Sequence, residues 1–94
     1  MKHYVLLKLN PGADVIAAQQ KINKACDKLD MEFDWLNHPV VYRSCGADNA
    51  FDIMAVVEID AEEKLPEYRE SAHYRKLVEH LKDQVASVQT FDHY

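Results

Sequence analysis

Residues 51–59 constrain the fold more than any other stretch. They run Phe51, Asp52, Ile53, Met54, Ala55, Val56, Val57, Glu58, Ile59. Every odd position is apolar, and the even positions are apolar in the middle, at Met54 and Val56. Side chains on a strand alternate faces, so this segment is a strand with one full apolar face and one partly apolar face. Both faces then need cover.

The flanking segments supply the rest. Residues 3–9 read as a strand, with His3, Val5, Leu7 and Leu9 on one face and Tyr4, Leu6 and Lys8 on the other. Asn10, Pro11 and Gly12 end it in a turn. Residues 14–29 carry Val15, Ala18, Ile22, Ala25, Cys26 and Leu29 at helical spacing, and Asp14 is placed to cap the free N–H groups. Residues 31–38 fit either a continued helix or a loop. Pro39 turns its predecessor toward extended geometry, so a short strand is expected over 40–45. A turn follows at Gly46, Ala47, Asp48 and Asn49. Asp60 with Glu63 has capping-box spacing. Pro66 must kink or restart the helix it enters. Ser71 offers a further cap, and Tyr74, Leu77, Val78, Leu81 and Val85 form an apolar stripe over 72–85. Residues 87–93 read as a last strand.

The resulting order, strand–helix–strand–strand–helix–strand, predicts a ferredoxin-like α+β domain. It has an antiparallel sheet with helices on one face, and length argues for one domain over residues 1–94. The other sheet face would carry Tyr4, Leu6, Met54 and Val56. An apolar patch of that kind marks an interface, most simply with a second copy.

Charge and motifs exclude several functions. Eleven Lys and Arg stand against sixteen Asp and Glu, a net of -5. That balance disfavours binding along a nucleic-acid backbone. No apolar run is long enough to span a membrane, and the opening residues do not form a signal peptide. Two glycines cannot build a GxGxxG loop, and neither a P-loop nor a GxSxG elbow is present. Two cysteines, Cys26 and Cys45, make neither a four-cysteine zinc site nor a CxxC pair. Reduced thiols in a cytoplasmic protein are the expectation.

Three segments resemble the stress-responsive α/β-barrel (Dabb) family. Residues 2–9, Lys-His-Tyr-Val-Leu-Leu-Lys-Leu, are similar to its opening strand. Residues 51–59 are similar to its YDLALVVEF strand, and residues 68–82 to its YxxHPxH…LK helical region, followed by a strand like residues 88–92. The family's His-Pro is replaced here by Glu70-Ser71-Ala72-His73, about one residue shorter. The resemblance implies a homodimer in which two sheets close into an α/β barrel. One plant member closes a polyketide chain by an aldol reaction, in a pocket between sheet and helices. By that resemblance its acid–base histidines match His3 and His73, and its pocket tyrosine matches Tyr68.

Candidate site residues are therefore His3, His73 and Tyr68 for catalysis. Val5, Leu7, Ala55 and Val57 would line the pocket. A neutral imidazole can take a proton beside a carbonyl, and a phenol can hold the oxyanion that forms. His73 and His80 lie seven apart, not the four of HExxH, so no metal is expected there. Asp60, Glu62 and Glu63 suit a solvated helix start. Met31, Phe33 and Trp35 could border a pocket mouth, and Arg43 reads as a surface ion-pair residue. His38 and His93 read as solvent or edge positions. The expected function is a small-ligand-binding homodimer with no cofactor. The alternative is a cofactor-free cyclase, isomerase or monooxygenase-like enzyme with His73 as base.

Overall fold

The computed structural model describes residues 1–46 and 48–94. The order is β1 (Lys2–Leu9), α1 (Val15–Glu32), β2 (Leu36–Arg43), β3 (Ile53–Ile59), α2 (Leu65–Glu70), α3 (Ala72–Leu81) and β4 (Val85–His93). A single 3₁₀ turn, Glu62–Lys64, precedes α2. The sheet runs β2-β3-β1-β4, with every pairing antiparallel. This is the ferredoxin-like α+β arrangement.

Caps fix the long helices as the sequence implies. Asp14 accepts from the Ala17 N–H at 3.0 Å and starts α1. Ser71 accepts from the His73 N–H at 3.2 Å and donates to Glu32 at 2.7 Å. It therefore starts α3 and ties it to the end of α1. The Asp60–Glu63 capping box does not form. Ala61 takes the cap position without a side-chain bond, and Pro66 sits in the first turn of α2, where its missing N–H costs nothing.

Other boundaries differ from expectation. Helix α1 runs on to Glu32, a turn at residues 34–35 follows, and Leu36–His38 become the start of β2. Strand β2 begins at Leu36, and its register shifts between Asn37 and Val40, around Pro39, which cannot donate to a ladder. His38, within that shift, takes a left-handed φ of 50°. Strand β3 begins at Ile53 rather than Phe51. Helix α3 ends at Leu81, so Val85 opens β4 instead of closing the helix. Of the expected turn at 46–49, Ala47 lies outside the described residues.

The core fills the space between the helices and one sheet face. Leu7, Leu9, Ile22, Cys26, Ile53 and Ala55 form one buried cluster. Leu29, Leu36, Val57, Ile59 and Tyr68 form another. Phe33 and Trp35 stack at 4.4 Å and pack against this second cluster, whereas Met31 is exposed. On the opposite sheet face, Tyr4 pairs across to Val56 and Phe91, and Leu6 to Met54. Val40 and Tyr42 extend that apolar face along β2. Among the described residues, no helix is long and apolar enough to cross a membrane.

Candidate active site

A cavity of about 160 Å³ lies between the sheet and the helices. Its floor is His3, Val5 and Leu7 of β1, with Ala55 and Val57 of β3. All of them occupy the inward parity of their strands. Ile22, Cys26 and Leu29 of α1 form one wall. Tyr68 of α2 and Tyr74, Leu77, Val78 and Leu81 of α3 form the other. Val85 and Val88 of β4, with Lys82, complete the rim. An apolar cavity of comparable size is enough to hold a benzene-sized molecule.

His3 is the polar group at the floor, only 3% exposed. It pairs across the ladder with Asp92, and its Nδ1 hydrogen-bonds the Asp92 carboxylate. A carboxylate only accepts, so Nδ1 carries a proton, and in the neutral ring Nε2 is then the acceptor. A ring held in this way is an oriented base.

Tyr68 meets the His3 ring edge-on, with centroids 5.7 Å apart, and Tyr74 packs against Tyr68 at 4.9 Å. Burial, then the neighbouring Cys26 and Tyr74, push the Tyr68 phenol well above its ordinary range, and Arg69 opposes them. The phenol therefore stays protonated and serves as a hydrogen-bond donor. Burial, with Asp27 nearby, pushes the Cys26 thiol up to about 11. Cys26 is thus a wall residue and a poor nucleophile.

The structure brings His3 and Tyr68 together with Val5, Leu7, Ala55 and Val57. His73 does not line this cavity. It is half-buried in a separate groove between α1 and α3. Burial of its apolar stripe orients α3, so positions 74, 77, 78 and 81 line the cavity. His73 lies on a face roughly a third of a turn away. Tyr74 takes the place on the cavity wall instead.

Asp92 was not singled out by sequence reasoning. The signal was present but weak: Val88, Thr90 and Asp92 share a face of β4, and Asp92 is its only ionisable member. Its partner depends on the β1–β4 register, which no local pattern states. Among the described residues, no group of three His, Cys, Asp or Glu side chains is arranged to hold a metal.

The fold is shared with solved structures at low sequence identity. A dimeric protein of unknown function with a ferredoxin-like fold from Bacteroides fragilis superposes with a TM-score of 0.85. It is 17% identical, over 98% of this chain and 92% of that one. A Dabb family protein from Mesorhizobium loti has a TM-score of 0.74 at 13% identity, over 99% and 93% of the two chains. An antibiotic biosynthesis monooxygenase has a TM-score of 0.73 at 12% identity, over 99% and 97%. No curated protein matches the chain. The model of the stress responsive A/B barrel domain matches residues 1–94, end to end, and the chain belongs to that family.

Proposed function

We propose that the protein is a homodimer whose subunits each hold a small apolar or carbonyl-bearing molecule between sheet and helices. The observation that carries this reading is the cavity, lined mainly by aliphatic side chains, with an oriented imidazole and a protonated phenol inside and Tyr74 and Lys82 on its wall and rim. Two polar groups in an apolar pocket orient a ligand without binding it indiscriminately. The apolar open face of the sheet, with Tyr4, Leu6, Met54, Val56 and Phe91, supports closure into a barrel by a second copy. Two free thiols, Cys26 and Cys45, support a reducing, cytoplasmic setting.

The binding reading is tested by thermal shift and NMR titration with benzene and 2-pentanone. Both are expected to perturb residues around Ala55 and Tyr68 and to raise the melting temperature. Ala55→Leu fills the cavity, so it is expected to abolish the response while the variant stays folded. An unchanged response in that variant places the ligand elsewhere.

The His3–Asp92 pair favours a second reading, a cofactor-free acid–base enzyme. In it His3, rather than His73, removes a proton beside a carbonyl, and Tyr68 donates to the developing oxyanion. The expected result is catalysed exchange of the α-protons of 2-pentanone in deuterated water, followed by proton NMR. His3→Gln should slow this exchange by about a hundredfold or more, the usual contribution of a positioned base. Equal rates in the two proteins exclude His3 as the base.

A further inference from the structure

A second concavity, of about 300 Å³, lies on the outer side of the helices. One ridge is Lys21, Lys24 and Lys28 of α1, at i, i+3 and i+7. The facing ridge is His73, Lys76 and His80 of α3, at the same spacing. Ala25 and Leu77 lie between them. Each ridge is about 10 Å long at the helical rise per residue. No Asp or Glu lines the groove among the described residues. Among the described residues, the lysine ion pairs lie elsewhere, at Lys8–Asp52, Lys64–Glu67 and Lys82–Glu79.

Four lysines share a concave site without a carboxylate on a chain whose net charge is -5. Like charges repel at Lys21–Lys24 and Lys24–Lys28, against the opposing pull of Asp27 and Glu32 at the same spacings from Lys24 and Lys28. An anion between the ridges relieves the lysine–lysine repulsion. The geometry points to a binding site for a compact oligophosphate, a di- or triphosphate group held by these four ammonium groups and by imidazole N–H donors. Length favours this occupant, because a triphosphate fits within ridges of this span. Charge favours it too. Outside the groove the chain has seven Lys and Arg against sixteen Asp and Glu, so a long polyanion meets repulsion beyond its ends. The groove lies on the helical side, away from the open sheet face, and stays accessible when a second copy covers that face.

The test is titration of the purified full-length protein with sodium tripolyphosphate at physiological ionic strength. Amide NMR locates the site and calorimetry gives the stoichiometry. Saturable binding at one site per chain is expected, with shifts confined to residues 21–28 and 73–80. Lys24→Glu with Lys76→Glu should weaken it about tenfold or more, through four units of charge change beside the anion. Lys64→Glu, remote from the groove, should change it less than about twofold. If the double reversal does not fold, Lys24→Gln with Lys76→Gln gives the same reading with a smaller loss. ATP run in parallel separates the sources: equal affinity assigns recognition to the phosphate chain alone, and tighter binding adds a nucleoside. Unsaturable binding, an equal loss in Lys64→Glu, or tighter binding of decaglutamate or an oligothymidylate overturns the proposal.

Discussion

In a Val56→Asp variant, light scattering is expected to report a monomer where the unsubstituted protein gives a dimer at micromolar concentration. Val56 sits in the middle of the open sheet face, with Tyr4 on one neighbouring strand and Val40 on the other. Its side chain points away from the helices, so the monomer keeps its own core, and circular dichroism should change little. In a two-fold dimer the new carboxylate is buried twice. Removing an unpaired ion from water costs several kcal/mol. Two such burials, at about 3 kcal/mol each, weaken the dimer roughly ten-thousandfold. A variant that remains dimeric at micromolar concentration contradicts the covered face.

Leu29→Ala is expected to produce the largest loss of stability of any single truncation bordering the cavity. Leu29 is 1% exposed and packs with Leu36, Val57, Ile59 and Tyr68. Truncating a leucine at such a site costs about 2–5 kcal/mol, because the surroundings relax only partly. For a domain of this size that corresponds to a fall in Tm of roughly 10–30 °C. Thermal unfolding should be compared at one protein concentration, since dimerisation couples to stability. A fall of only a few degrees would mean that the α1–β3 packing is looser than described. Because Leu29 also lines the cavity, the variant should admit a bulkier arene than the unsubstituted protein does.

The parts of the fold legible in the sequence are those whose causes are local. Period-two alternation located β1 and β3 and put Val5, Leu7, Ala55 and Val57 on the inward face. The helical stripe and Asp14 located α1, and Ser71 marked the start of α3. The less legible parts depend on distant contacts. Val85 fits both the helical stripe and a strand, and β4 pairing with β1 decides for the strand. The early start of β2 was hidden because the bulge between Asn37 and Val40 breaks the alternation. Of the candidate site, His3 and Tyr68 meet across the cavity. The partner of His3 is Asp92, 89 positions away, and only the sheet register identifies it. The stripe Tyr74, Leu77, Val78 and Leu81 carried the rotational phase of α3 in the sequence, and it sets His73 about 100° from Tyr74, off the cavity wall.

Native mass spectrometry of freshly purified protein tests the central claim most directly, namely a dimer holding a small molecule within each subunit. The expected spectrum is a dimer carrying up to one small adduct per chain, or taking up benzene or 2-pentanone to that stoichiometry, with Ala55→Leu dimeric and empty. A monomer, or a dimer that takes up neither probe, would contradict it.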